Sequence, residues 1–332
     1  MKNKIYFLFL LIPLFLTGCW DLAEIENRNY VINLGIDNEN DEYIVTYGLA
    51  WNDDETHLGS VKTASGENLS FLIENADISS EKSTFLGHAK TLILGENVLK
   101  DKDMLQEVIS TLKNNKDLSS KVLIMECHGK ASDAVNAISE EKQMYIWNFY
   151  RTNANNMGHI QKTTFDNIKA QMETGGTAII PFIKVENDEI IFYGCGIISD
   201  GILQKNFNQR ESEFIYILNG CGKGSLFEEE DYLFKVSENK RKIKNENGIL
   251  KIILNMKGKV IYNKNEVSPE EIESKLETEI SDFMKKEVFV LPNGDYLDIG
   301  KYLIKDGGRN INNIRYADYN IIPVVHIQFE NV

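Results

Sequence analysis

Apolar residues along this chain recur with two different spacings, and the alternation between them predicts the fold. Residues 30–36 read as a strand, 37–41 as a polar turn and 42–51 as a second strand. In that second strand Tyr43, Val45, Tyr47 and Leu49 alternate with Ile44, Thr46 and Gly48, the period of two that a pleated backbone imposes. Residues 52–66 read as a polar loop. Leu69, Leu72, Ile73 and Ala76 then mark one face of a helix. An apolar strand over 89–94 follows, and after it a helix with Asp101 or Asp103 as its cap. The buried face of this helix would be Met104, Leu105, Val108, Ile109 and Leu112. Residues 121–126 are again strand-like, and 130–173 read as mainly helical with a polar break at 153–158. Strands and helices thus alternate as in a mixed α/β region.

The pattern changes after Gly175-Gly176. Strands are predicted over 178–184, 189–198 and 202–205, with Asn187-Asp188 and Asp200-Gly201 as the turns between them. A short helix over 209–218 leads to the loop Gly220-Cys221-Gly222-Lys223-Gly224. Residues 232–236, 249–255 and 259–262 read as strands of an antiparallel meander. The best-marked helix comes next. Ser268 caps it, Pro269 stands at its first position, Glu271 completes a capping box, and Ile272, Leu276, Ile280 and Phe283 form its apolar stripe. A last strand over 321–329 contains Pro323, which fits a strand start or a sheet edge. The expected class is therefore α+β and multidomain. A mixed α/β region over 19–186 would be followed by an antiparallel-sheet region with one long helix over 187–332.

Residues 1–18 stand apart from this pattern. Lys2 and Lys4 flank a basic start, residues 5–16 are apolar, and Leu16-Thr17-Gly18-Cys19 follows at once. A basic segment, a short apolar run and a small-residue cleavage site describe a secretory signal peptide. The run is shorter than the roughly 20 residues a membrane-spanning helix needs. Leu16-Thr17-Gly18-Cys19 resembles a bacterial lipobox. In such proteins the Cys thiol is joined to diacylglycerol, the peptide is cut before it, and the new amine is acylated, as with palmitate. Two or three acyl chains, at about 0.8 kcal/mol for each buried CH₂, hold far more firmly than one myristoyl group. Cys19 is accordingly the expected lipidation site.

Loss of residues 1–18 removes two lysines and no acid, which takes the net charge from −14 to −16. That balance disfavours nucleic acid and an anionic membrane surface as partners, so attachment rests on the lipid. Beyond Cys19 there remain Cys127, Cys195 and Cys221, an odd number with no C-x-x-C spacing. They are read as small apolar residues.

Candidate chemistry is sparse. The sequence contains no G-x-S-x-G elbow and no H-E-x-x-H helix, and residues 220–225 depart from the phosphate-loop spacing at Ile217 and Gly224. His57, His88, His128, His159 and His326 are scattered, and His128 and its neighbour Cys127 would face opposite sides of a strand. The acidic run 228–231 and the basic run 240–244 read as solvated surface. No catalytic residue, cofactor or metal ligand is expected.

The residues Cys19-Trp20-Asp21-Leu22-Ala23-Glu24-Ile25 resemble the Cys-Trp-Asp-x-x-Glu-Ile opening of the Ger(x)C family, the lipoprotein C subunits of bacterial spore germinant receptors. The similarity continues in Leu34-Gly35-Ile36-Asp37 and in Tyr43-x-Val45-Thr46. It continues again in Gly87-His88-Ala89-Lys90-Thr91-Leu92-Ile93-Leu94-Gly95-Glu96, then in Ile180-Pro181 and Tyr193-Gly194-Cys195-Gly196-Ile197-Ile198. Residues 298–303 are similar to the family's Asp-x-x-G-x-G segment. The tryptophan-rich stretch that follows it in the family is missing, since all three tryptophans lie before residue 148. The resemblance implies a non-enzymatic lipoprotein on the outer face of the spore inner membrane, acting with two integral-membrane subunits, A and B. Two readings compete with it: a lipid-anchored solute-binding protein feeding a transporter, which would have two similar lobes around a pocket, and a cell-surface hydrolase.

Overall fold

The computed structural model describes residues 28–50, 60–75, 83–138, 142–153, 156–264, 266–292, 294–303 and 314–330. Cys19, the 20–25 segment, Trp51, His57 and Ala76 lie outside these residues.

The first half is one mixed sheet. Its strands are β1 (Arg28–Glu39), β2 (Glu42–Leu49), β3 (Val61–Gly66), β4 (Ser83–Phe85), β5 (Thr91–Gly95), β6 (Leu123–Cys127), β7 (Ala178–Glu186), β8 (Glu189–Ser199) and β9 (Ile202–Phe207). They lie in the order β3-β2-β1-β5-β6-β7-β8-β9, with β4 also paired to β1. The centre, β1-β5-β6-β7, is parallel. Both flanks, β2-β3 and β8-β9, are antiparallel. Parallel neighbours need long crossovers, and helices supply them: α1 (Leu69–Glu74), α2 (Glu96–Lys100), α3 (Lys102–Asn114), α4 (Ala131–Ala137), α5 (Tyr145–Asn153) and α6 (Phe165–Thr174).

Covering helices on both faces explain the unbroken apolar run of β5, whose five residues are all buried. Leu92 and Leu94 face a core shared with Leu105, Val108 and Leu112 of α3. Ile93 faces the opposite core with Ala131 and Val135 of α4. Asp101 caps α3 as expected, accepting hydrogen bonds from the amides of Asp103 and Met104. Gly175 ends α6 with a positive φ of 67°.

The second half contains α7 (Gln209–Leu218), β10 (Leu226–Glu228), β11 (Tyr232–Glu246), β12 (Ile249–Asn263), α8 (Pro269–Phe283), α9 (Gly300–Leu303) and β13 (Asn320–Phe329). Its sheet runs β10-β11-β12-β13. The first two pairings are antiparallel, while β13 returns parallel to β12 after the long helix. Pro323 sits on this edge strand, where its missing N–H leaves no gap inside the sheet. The capping box of α8 is present, and Ile272, Leu276, Ile280 and Phe283 are all buried.

Three expectations need correction. Residues 61–66 are a strand and not loop; they are an edge with little apolar alternation to mark them. Residues 237–246 continue β11 without a break. Residues 249–263 form one strand where two were expected. The turn joining β11 to β12 is Asn247-Gly248, both at positive φ, a dipeptide that signals a hairpin.

The division drawn between residues 186 and 187 falls in the turn of the β7–β8 hairpin. The first sheet runs on to Phe207, and β8 serves several cores. Ile190 and Phe192 pack with α4 and α5, Ile198 packs with the α3 side, and Cys195 and Ile197 pack with the second half.

Candidate interaction site

The segments that carry the family resemblance come together at two places in the sheet. The first is the N-terminal end of α4. This helix starts after Lys130, which makes no side-chain cap. Its cap comes from the far side of the sequence. Asp37 accepts hydrogen bonds from Ala131 N through Oδ1 at 2.6 Å and from Ser132 N through Oδ2 at 2.9 Å. The first amides of a helix lack partners inside it and carry the positive end of its dipole, so a carboxylate satisfies both needs. Burial lifts the Asp37 carboxyl above its usual range, and the two amides pull it back.

Two glycines make this contact possible. A Cβ on Gly35 would press on Val135 and on the backbone of Ala131, and a Cβ on Gly95 would collide with Asp37 Oδ1. Glu96, next in the chain, accepts a hydrogen bond from Lys100, which holds its carboxyl below the ordinary range, and places Oε2 3.3 Å from His128 Nδ1. Leu34-Gly35-Ile36-Asp37 and Gly95-Glu96 are therefore one structural joint.

The second place joins the two halves at β8. Gly194 allows α7 to approach: Ser212 Oγ accepts from Cys195 N at 2.9 Å and donates to Phe207 O at 3.1 Å. A Cβ on Gly194 would crowd both Phe207 O and Ser212 Oγ. Gly196, two residues on, leaves room for Glu126 and Asn206, whose side chains meet with Asn206 Nδ2 2.6 Å from Glu126 Oε1.

Beyond this joint lies a shallow cleft of about 730 Å³ between the outer face of β8, the start of α7 and β10. Its lining includes Ile191, Tyr193, Arg210, Glu213 and Leu226. Arg210 donates to Leu226 O at 2.9 Å and to Glu279 Oε2 at 2.8 Å, with Glu213 Oε2 at 3.5 Å. Its guanidinium lies over the rings of Phe214 and Phe227. Burial pushes the Glu213 carboxyl up to about 7, with Arg210 opposing it. Ile191, Tyr193 and Leu226 remain more than a third exposed at its rim. A second groove, of about 330 Å³, runs between α3 and the end of α6. The ion pairs Lys102–Asp200 and Lys113–Glu173 lie along it.

The other residues singled out in the sequence have structural roles. Cys127 and Cys195 are buried and Cys221 is exposed; all three are free thiols. His88 lies in a short 3₁₀ turn (Leu86–His88), against Tyr30 and Phe85. In the glycine-rich loop Gly220, Gly222 and Gly224 all have positive φ, and Gly224 sits against the backbone of Asn156. In the acidic run, Glu229 pairs with Lys275 at 2.7 Å. In the basic run, Lys240, Lys242 and Lys244 are exposed. Arg241 turns inward, donating to Leu218 O and Leu297 O. With Asp298 Oδ2 3.7 Å from its guanidinium, Arg241 thereby holds the chain at Leu297-Asp298, a role its position in a charge run did not signal.

Among the described residues no group of three or more His, Cys, Asp or Glu side chains is placed to hold a metal ion. Among the same residues no helix is long and apolar enough to cross a membrane.

Comparison with known proteins agrees with these motifs. Residues 21–185 match the family described as Spore germination protein N-terminal domain. The chain is 22% identical over 261 residues to Spore germination protein A3 of Bacillus subtilis (strain 168), covering 74% of this chain and 69% of that protein. It is 23% identical over 247 residues to Spore germination protein B3 of the same organism, covering 69% and 66%. In fold it is similar to a crystal structure of the GerBC protein, with a TM-score of 0.55 at 17% identity, covering 90% of this chain and 97% of that one. The match over 21–185, the two relatives and the shared fold have one meaning: this chain belongs to the Ger(x)C family of spore germination proteins.

Proposed function

We propose that this chain is the lipid-anchored C subunit of a nutrient germinant receptor, with no catalytic role of its own. Cys19 is acylated after removal of residues 1–18, and the lipid holds the folded body on the outer face of the spore inner membrane. From there the regions 19–186 and 187–332 contact the integral-membrane A and B subunits. The observation that carries this reading is the position of the lipobox cysteine, two residues before the family match begins at Asp21. An anchor in the same membrane raises a partner's effective concentration, so modest contacts suffice for assembly. The cleft rimmed by Ile191, Tyr193 and Leu226 offers apolar surface for such contacts.

A Cys19→Ala substitution in spores tests the proposal. The expected result is loss of the chain from the membrane fraction and a slowed response to nutrient. A full-rate response from unlipidated protein would contradict it.

The solute-binding alternative calls for two like lobes around a pocket. The two sheets here differ in strand number, order and covering helices, which speaks against it.

A further inference from the structure

Glu126 lies at the end of β6 with no exposed surface. Its Oε1 accepts the hydrogen bond from Asn206 Nδ2 at 2.6 Å. Its Oε2 is buried with no partner, and so is Asn206 Oδ1. Both orphaned oxygens converge on the space left by Gly196 of β8: a Cβ there would lie 2.7 Å from Glu126 Oε2 and 2.6 Å from Asn206 Oδ1. Two acceptors cannot satisfy each other, and leaving both unpaired in the interior is costly. One proton resolves the conflict.

We infer that Glu126 is held as the neutral acid, with its proton on Oε2 donated to Asn206 Oδ1, so that acid and amide close a two-point ring tying β6 to β9 across β7 and β8. This ring is a pH-sensitive tie within the first sheet, beside the β8 strand on which the second half packs. Burial pushes the Glu126 carboxyl up to about 7, more than the Asn206 hydrogen bond lowers it. The charged neighbours are on α2, where Glu96 favours the neutral form and Lys100 opposes it. Among the described residues the Cys195 thiol of β8 and the Cys127 thiol beside it in β6 also feel Glu126, and both are pushed up to about 12 by burial. Lys205, next to Asn206, is committed to Glu287. Above neutral pH the proton leaves, the two oxygens face each other unbridged, and the tie loosens.

The sign follows from linkage. A carboxyl whose folded pKa is raised stabilises the fold most below its unfolded value near 4.5, and that contribution is lost as pH rises towards 7. Glutamine keeps the acceptor of the neutral acid and puts an N–H in place of its O–H, with one further N–H that the acid lacks.

The test is a pair of measurements on the full chain. Infrared difference spectroscopy at pH 6 is expected to show the C=O stretch of a buried protonated carboxylic acid that disappears in Glu126→Gln. Thermal melts are expected to show Glu126→Gln equal to the parent at pH 5 and more stable at pH 8. Absence of the acid band in Glu213→Gln, which removes the other carboxyl raised to about 7, would overturn the inference even if Glu126→Gln fails to fold. A folded variant that is less stable than the parent by the same amount at both pH values would also overturn it.

Discussion

Asp37 on β1 caps a helix that begins 94 positions later, with its Oδ1 2.6 Å from Ala131 N. The contact fixes α4 against the central strands and gives two separate sequence motifs a common purpose. Replacing Asp37 with Ala removes both acceptors from the α4 terminus. The expected cost is about 2 kcal/mol, read as a lower denaturant midpoint with an unchanged slope. A change within experimental error would remove the cap from this account.

Gly95 should be coupled to that contact. Gly95→Ala drives a methyl group into the Asp37 carboxylate, and a cost of about 1–3 kcal/mol is expected. In Asp37→Ala the obstruction is gone, so the double variant should be less destabilised than the sum of the two single ones. Strict additivity in a double-mutant cycle would show that the two residues act independently.

Much of this fold was legible from hydrophobic period alone. The stripe of α8, the Asp101 cap and the alternation in β2 each arise from local rules that neighbouring residues satisfy together. The errors fall where local rules are weak. Residues 61–66 form an edge strand with only partly buried positions, so no alternation announces them. Beyond Val236, β11 has no fully buried residue, which hid its length even though Asn247-Gly248 marked the turn. The Asp37–Ala131 and Glu126–Asn206 contacts were not legible at all, because each pairs residues 80 or more positions apart. The motif letters were visible; the joint they build was not.

Ser268 tests the most local of these readings. Its side chain accepts from Glu271 N, and Glu271 Oε2 accepts from Ser268 N. Ser268→Ala should cost about 1 kcal/mol, seen as a lower melting temperature of the whole chain, since the α8 stripe belongs to the core of the second half.

Glu213 gives a pH prediction separate from Glu126. Its carboxyl is raised from 4.5 to about 7 by burial, so its contribution to stability is greatest below pH 4.5 and is lost as pH rises to about 7. The expected loss is on the order of 3 kcal/mol. Glu213→Gln should flatten this part of the stability curve in melts between pH 4.5 and 7.5. An unchanged slope would indicate that Arg210 neutralises the carboxylate fully.

The central claim is that this Ger(x)C chain works as a lipoprotein, and the most direct measurement is mass spectrometry of its N-terminal peptide purified from spore membranes. The account predicts a peptide beginning at Cys19, carrying diacylglycerol on sulfur and an acylated amine. A retained 1–18 leader, or an unmodified thiol at residue 19, would contradict it.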